Sequence, residues 1–195
     1  MRAILVFLLA ATLPSAAFAH PGMGDAAGLL HGFSHPIGGL DHVLAMVAVG
    51  VFAAVLGGRA LWMVPLAFIG AMVMGFLLGA GHVDLPFVEL AIALSSIVIG
   101  GAAALGRPMP LAGAMALVGV FAVFHGHAHG AEMPSDAGGV LYAAGFVAAT
   151  GLLHGAGIGA ATIFARLTGR LGKPLAQVAG ALFAAGGFGV LVGWL

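Results

Sequence analysis

The chain has 195 residues, of which 62% are hydrophobic and only 6% are charged, and its formal net charge is zero. Because soluble domains carry about 25% charged residues, this composition excludes a soluble globular protein and predicts an integral membrane protein. The neutral charge provides no basic surface for nucleic acid, and the absence of cysteine excludes disulfides, thiolate metal sites and thiol nucleophiles.

Residues 1–19 have the pattern of a secretory signal peptide. Arg2 gives a positive start, the apolar run AILVFLLAATL follows, and Ala17 and Ala19 are the small residues expected at a cleavage site. Cleavage after Ala19 would leave His20 at the mature N-terminus, outside the cytoplasm. The alternative is an uncleaved first helix, although the run is short for a membrane span. Residues 20–35 are then predicted to form a periplasmic N-terminal segment.

Six apolar stretches of the length needed to cross a bilayer follow this segment. They cover residues 36–57, 61–81, 86–105, 110–130, 138–165 and 174–195. Glycine, proline and polar residues separate the stretches, and no connection is long enough for a second domain. The sequence therefore predicts an all-α polytopic membrane protein, with a bundle of six transmembrane helices over residues 36–195.

The distribution of charge predicts the orientation of this bundle. If the mature N-terminus is outside, all five basic side chains of the mature chain fall in inner loops, and all six acidic side chains fall in the outer half or in outer loops. This arrangement satisfies the positive-inside rule. An even number of spans then places the C-terminus outside as well.

Ionisable side chains are concentrated near the predicted outer ends of the spans. The main candidates for a functional site are His35, Asp41, His42, Glu89, His129 and Glu132. Asp41 and His42 are expected about two turns inside the first span, and His35 shares a face with His42 if that helix begins early enough. In FHGHAHGAE, His125, His129 and Glu132 follow one stripe at i, i+4 and i+7, whereas His127 points elsewhere.

The acidic candidates lack a basic partner, because no lysine or arginine falls in the outer half of the predicted bundle. A charged side chain near the bilayer centre costs about 2.5–3.5 kcal/mol on insertion scales, and a shallower one costs less. A divalent cation would supply the missing charge, and imidazole with carboxylate but without thiolate suits nickel, cobalt or zinc. The sequence therefore predicts a metal site at the six main candidates. The secondary candidates are His20, His31, His125 and His154.

Two of these predictions have open alternatives within the fifth span and the N-terminal segment. His154 is equally well explained as a hydrogen-bonded packing residue, and His20 as part of a flexible tail. Beside His154, the residues Gly151, Gly155 and Gly159 are expected to form a ridge that lets a neighbouring helix approach closely. No catalytic residue and no permanently bound cofactor is predicted.

Several stretches of the sequence resemble a known family. The stretches HPIGGLDHVLAMVAVG and FHGHAHGAEMP look like the two signature motifs of the HupE/UreJ family of nickel and cobalt permeases. The signal with its AHPG junction, VELAIALS and LLHGAGI also fit, so the resemblance extends over nearly the whole chain. Carried over by position, the functional residues of the family fall on the six main candidates.

The resemblance implies a permease that carries Ni²⁺ or Co²⁺ from the periplasm across the bacterial inner membrane, for a nickel enzyme such as hydrogenase or urease. No P-loop pattern is present, so neither direct ATP drive nor an ATPase subunit is expected, and transport would be secondary or facilitated. The expected partners are a divalent metal ion and the lipid bilayer, and the glycine-rich faces are compatible with an oligomer.

Two other functions fit the same residues. In the first, the protein is an intramembrane hydrolase in which His42, His125 and His129 hold zinc and Asp41 lies near the activated water. In the second, it is a structural or sensor protein that binds a metal without moving it. The spacing of the metal-binding residues does not distinguish these functions from transport.

Overall fold

The computed structural model describes residues 24–195 except Asp136, and this part of the chain is built from helices and turns without any strand. The seven α-helices are α1 Gly24–Gly38, α2 Leu40–Leu56, α3 Ala60–Ala80, α4 Val88–Leu105, α5 Leu111–Ala131, α6 Gly139–Thr168 and α7 Gly172–Leu191. A 3₁₀ turn at Gly169–Leu171 joins α6 to α7. The predicted signal peptide, its cleavage site and His20 lie outside the described residues.

Helices α2 to α7 correspond to the six predicted apolar stretches, with ends displaced by at most four residues. Four stretches in the described part are long and apolar enough to cross a membrane, or five if the bent pair of α1 and α2 is one span. The last stretch, Gly139–Leu191, contains 53 residues and would be about 80 Å long as one straight helix. Helix α7 instead returns along α6, since Phe164 and Leu182 line the same groove.

The N-terminal part differs from the prediction. The described part of α1 meets α2 at Gly39 with a bend of 83°, so the first apolar helix begins at Leu40 rather than at residue 36. Asp41 and His42 therefore lie in the first turn of α2 instead of two turns inside it. His35 belongs to α1, so it does not share a helical face with His42. The Gly38–Gly39 pair after Pro36 is a helix-breaking signal, but the predicted span of residues 36–57 included it.

Glycines on α3 and α5 allow these two helices to pack closely. Gly75 and Gly79 of α3 face Gly126 and Gly130 of α5, and a Cβ atom on any of the four would collide with a carbonyl oxygen of the other helix. Small residues four apart on both helices are a recurrent packing pattern in membranes. This contact fixes the position of α5, which carries His125 and His129.

The predicted glycine ridge on α6 is wrong. A Cβ atom on Gly155 or Gly159 would meet nothing within 4 Å, and one on Gly151 would meet only a side-chain tip at 4.0 Å. The close approach is made by Gly157, which packs against the backbone of α2 near Gly50. Because Gly157 lies one turn after His154, the same contact turns the His154 side chain into the bundle interior.

The described charged residues separate to opposite ends of the bundle. Asp41, Glu89 and Glu132 lie at the start of α2, the start of α4 and the end of α5, which meet at one end. At the other end, Arg59 precedes α3 and Lys173 lies in the first turn of α7. Along α2, the distance from Asp41 to its last residue is about 22 Å. The predicted separation of charge is therefore present in the fold.

Candidate metal site

An open cleft of about 400 Å³, here called the acidic cleft, lies at the end of the bundle where α1, α2, α4 and the end of α5 meet. It is lined by His31, Ser34, His35, Gly38, Gly39, Asp41, His42, Glu89 and Glu132. Five of the six main candidates, from three separate stretches of the chain, thus line one cleft. Among the described residues, three carboxylates and no lysine or arginine line it, so its electrostatic potential favours cations.

Four imidazole rings pack together at the inner side of this cleft. This histidine cluster consists of His35, His42, His125 and His129. The ring centroid of His42 lies 4.8 Å from that of His125 and 5.1 Å from that of His129, and the His35 and His129 centroids are 5.0 Å apart. His125 and His129 are completely buried. The sixth main candidate, His129, thus adjoins the cleft, and the secondary candidate His125 belongs to the same cluster.

The bend at Gly39 brings α1 and α2 together in this cluster. The centroids of His35 and His42 lie 6.2 Å apart although the two residues belong to different helices. Nε2 of His35 also lies 3.2 Å from a carboxylate oxygen of Glu132, which connects α1 to the end of α5. A Cβ atom on Gly39 would lie only 2.8 Å from Oδ1 of Asp41. A side chain at residue 39 would therefore displace the Asp41 carboxylate from the His42 ring.

Asp41 fixes the orientation and the tautomer of His42. Its Oδ1 atom accepts the backbone N–H of His42 at 2.8 Å and lies 3.1 Å from Nδ1 of the ring. Since an ionised carboxylate only accepts hydrogen bonds, Nδ1 donates, and Nε2 of a neutral ring keeps its lone pair. Nε2 is buried and has no hydrogen-bond partner in the described part of the chain. Metal-binding histidines are commonly held by a carboxylate in this way.

Ser95 of α4 does the same for His125. The Ser95 hydroxyl donates to the carbonyl of Ile92 at 2.6 Å, and its oxygen lies 2.9 Å from Nε2 of His125. Because the single hydroxyl hydrogen is used on Ile92, the oxygen accepts from Nε2. Nδ1 then keeps its lone pair, and it too is buried without a partner among the described residues. The sequence analysis missed Ser95, whose only signal is a polar residue within an apolar helix.

His129 and His154 have both ring nitrogens buried without a partner in the described structure. The His129 ring stacks on Phe146 with centroids 4.9 Å apart and planes 6° apart. The ring centroids of His154 and Phe68 lie 5.1 Å apart in an edge-on arrangement, and those of Phe68 and His125 lie 5.8 Å apart. The Phe68 ring thus lies between His154 and the histidine cluster. The described part of the chain provides no hydrogen-bond partner for His154, so it does not support the interpretation of His154 as a hydrogen-bonded packing residue.

The remaining described histidines have different surroundings. His127 donates from Nε2 to the carbonyl of Val83 at 2.7 Å, so it points away from the cluster, as predicted, and holds the loop after α3. His82 is exposed in that loop. His31 lines the acidic cleft, and its ring centroid lies 6.1 Å from that of Tyr142. Tyr142, which the sequence analysis missed, is buried with its hydroxyl unpartnered in the described part.

Within the described residues, no three histidine, aspartate or glutamate side chains are arranged to hold one metal ion together. Two imidazoles that bind one ion through nitrogens 2.0–2.1 Å from it would have centroids roughly 5 Å apart. The His42–His125, His42–His129 and His35–His129 pairs already have this spacing, whereas the His35 and His42 centroids are 6.2 Å apart. The identity of the ligands stays a prediction.

The sequence as a whole is similar to known proteins. Residues 7–190 match the family described as HupE / UreJ protein. The chain is 46% identical over 190 residues to Protein HupE of Rhizobium leguminosarum bv. viciae, and the alignment covers 97% of each chain. No solved structure matches. The similarity therefore extends over both motifs and the helices between them.

Proposed function

The chain belongs to the HupE/UreJ family, and on that premise we propose that it transports Ni²⁺ or Co²⁺ across the bacterial inner membrane into the cytoplasm. The ion would supply a nickel enzyme such as hydrogenase or urease, as the family resemblance implies. The observation that supports this proposal is the acidic cleft above the histidine cluster, which combines carboxylates and imidazoles without a basic side chain. Such ligands suit borderline divalent cations.

The depth of the candidate ligands suggests the order in which the ion meets them. Glu89 and Glu132 are exposed in the acidic cleft and would attract the hydrated cation. His35 and His42 would replace part of its water shell, and the buried rings of His125 and His129 would take it deeper. Conduction needs binding that is favourable enough for entry and weak enough for release. A mixed set of oxygen and nitrogen ligands without thiolate fits both needs.

The proposed topology has six spans, α2 to α7, with the acidic cleft at the periplasmic face. Of the five described basic residues, Arg59, Arg107 and Lys173 line a cavity at the opposite end, which the positive-inside rule assigns to the cytoplasm. Both mature termini are then periplasmic. We infer secondary or facilitated transport, because the sequence has no nucleotide-binding P-loop.

Nickel uptake into proteoliposomes that contain the purified chain tests this function. Asp41→Asn and Glu132→Gln remove charge from the acidic cleft, and Asp84→Asn removes an exposed carboxylate that does not line it. We expect saturable uptake by the unmodified chain and by Asp84→Asn. The nickel uptake of the two cleft variants should fall about tenfold or more, since loss of a ligand or its hydrogen-bond partner typically lowers metal affinity 10–100-fold.

Other outcomes of this experiment would support different functions. Undiminished uptake by both cleft variants would contradict transport through the acidic cleft. Nickel binding without any uptake by the unmodified chain would favour the sensor. Zinc-dependent hydrolysis of a lipid amide by the purified chain would favour the intramembrane hydrolase.

A further inference from the structure

A second cavity, of about 480 Å³, lies at the end of the bundle opposite the acidic cleft. This basic cavity is lined by Val55, Leu56, Gly57, Arg59, Ala60, Gly106, Arg107, Pro108, Met109, Leu111 and Lys173. Two of its cationic side chains, Arg59 and Arg107, come from the connections before α3 and α5, and the third, Lys173, comes from the first turn of α7. No carboxylate lines the cavity, and none of the three cations forms an ion pair in the described part of the chain. The cavity is therefore suited to an anion.

The start of α5 adds to the positive potential of the basic cavity. Pro110 precedes the helix and provides no side-chain cap, and the first backbone bond is from Ala114 to the carbonyl of Pro110. The N–H groups of the residues from Leu111 to Gly113 are thus left without partners inside the helix. Helix N-termini bind phosphate through such groups and through the helix dipole, and Leu111 lines the cavity.

Shared lining residues connect the basic cavity, through a smaller cavity, to an apolar groove on the side of the bundle. Val55 and Lys173 also line a smaller cavity of about 150 Å³, which Ala161 and Ala176 share with the groove. The apolar groove, of about 260 Å³, is lined by Val47, Val51, Ala160, Ala161, Phe164, Leu175, Ala176, Val178, Ala179, Leu182 and Phe183. From Lys173 to Leu182 is about 14 Å along α7, close to half of the roughly 30 Å hydrocarbon core of a bilayer.

We propose that the basic cavity and the apolar groove form one binding site for an anionic phospholipid. The headgroup phosphate contacts Arg59, Arg107 and Lys173, and one acyl chain lies in the groove along α7. Arginine suits this role because its planar guanidinium donates two parallel hydrogen bonds to phosphate. Trp62, which is exposed one turn after Arg59, is placed as interfacial tryptophans are at headgroup depth.

A lipid fits this site better than free phosphate does. A soluble anion would use the basic cavity alone, and the nearby apolar groove would contribute nothing to its binding. Phe164, Val178 and Leu182 at the groove are more than half exposed, so an acyl chain there would cover apolar side chains. Basic side chains that cluster at the depth of one leaflet are also typical of binding sites for anionic headgroups.

Native mass spectrometry of the detergent-purified full chain tests the proposal. The chain is titrated with phosphatidylglycerol or with phosphatidylcholine that has the same acyl chains. We expect phosphatidylglycerol to be retained at concentrations about tenfold lower, and the double variant Arg59→Gln/Arg107→Gln to lose this preference. The matched control is Arg166→Gln/Arg170→Gln, which removes the same charge near the same end but outside the basic cavity. This control should keep the preference.

Two further arms distinguish a lipid from a free anion. Inorganic phosphate, added in excess over the lipid, should fail to displace phosphatidylglycerol. Ala179→Phe, which fills the apolar groove, should weaken retention of phosphatidylglycerol while the positive charges are kept. Equal retention of the two lipids by the unmodified chain, or an equal loss in the control pair, would overturn the proposal. Displacement by inorganic phosphate, or an Ala179→Phe variant that retains the lipid fully, would overturn the assignment to a lipid.

Discussion

In two rings of the histidine cluster, a neighbouring oxygen holds one nitrogen, and the other nitrogen has no partner among the described residues. Asp41 does this for His42, and Ser95 does it for His125. The sequence analysis could find Asp41, because it adjoins His42 in the motif. It could not find Ser95, because Ser95 lies 30 residues before His125 on another helix. Partners that set a tautomer through tertiary contact leave no local pattern.

Replacement of Ser95 by alanine tests this role. Ser95→Ala removes the acceptor for Nε2 of His125, so the ring can adopt the other tautomer and its orientation is no longer fixed. We expect nickel affinity, measured by titration calorimetry, to fall about 10–100-fold. The control is Ser96→Ala, since Ser96 is equally buried but bonds only to a carbonyl of its own helix. Equal losses in the two variants would contradict the role of Ser95.

His127 and His129 should respond in opposite ways to substitution. His127→Ala removes a hydrogen bond to the loop after α3, so we expect the free energy of unfolding to fall by about 1 kcal/mol while nickel affinity is kept. His129→Ala should abolish or strongly reduce nickel binding by a folded protein. Thermal unfolding and calorimetry on both variants check this. A folded His127→Ala protein that binds no nickel would show that the division between these residues is wrong.

At the scale of helices, apolar length and breaker residues predicted α2 to α7 well. The bend between α1 and α2 was missed because length and hydropathy do not reveal where an apolar stretch changes direction. The glycines of α6 show a related limit. Gly151, Gly155 and Gly159 form one stripe and Gly157 lies off it, and only the packing against α2 decides which of them is turned inward.

Substitution of Gly39 tests whether the bend between α1 and α2 contributes to the site. Gly39→Ala would push a Cβ atom against Oδ1 of Asp41 and, at 3.2 Å, against Nδ1 of His42. The Asp41 carboxylate would have to move away from the ring that it orients. We therefore expect weaker nickel binding by a folded protein. Gly38→Ala is the control, because its Cβ atom would meet nothing within 4 Å. Normal nickel affinity of Gly39→Ala would contradict this account of the bend.

At the scale of the whole molecule, carboxylates and imidazoles meet at one end and cations at the other. The residue types, and their attribution to opposite ends, were predictable from charge along the sequence. Their assembly was not, because the acidic cleft draws on three separate stretches of the chain. The connections that bring Glu89 and Glu132 beside Asp41 depend on tertiary packing of α1, α2, α4 and α5, which the sequence pattern does not specify.

The proposed orientation can be checked by cysteine labelling, since the chain has no cysteine of its own. Ser135→Cys places an exposed thiol at the acidic end, and Leu167→Cys places one near the basic end. With a membrane-impermeant maleimide added to spheroplasts, we expect Ser135→Cys to react and Leu167→Cys to react only after permeabilisation. The reverse pattern would place the acidic cleft on the cytoplasmic side.

The central claim is that the histidine cluster below the acidic cleft binds the transported cation. X-ray absorption spectroscopy of nickel bound to the purified chain tests it most directly, because imidazole ligands give characteristic outer-shell scattering. We expect nitrogen and oxygen ligation with at least two imidazoles, and loss of the imidazole signal in His42→Ala/His129→Ala. A nickel spectrum without imidazole scattering, or one that this double variant leaves unchanged, would contradict the claim.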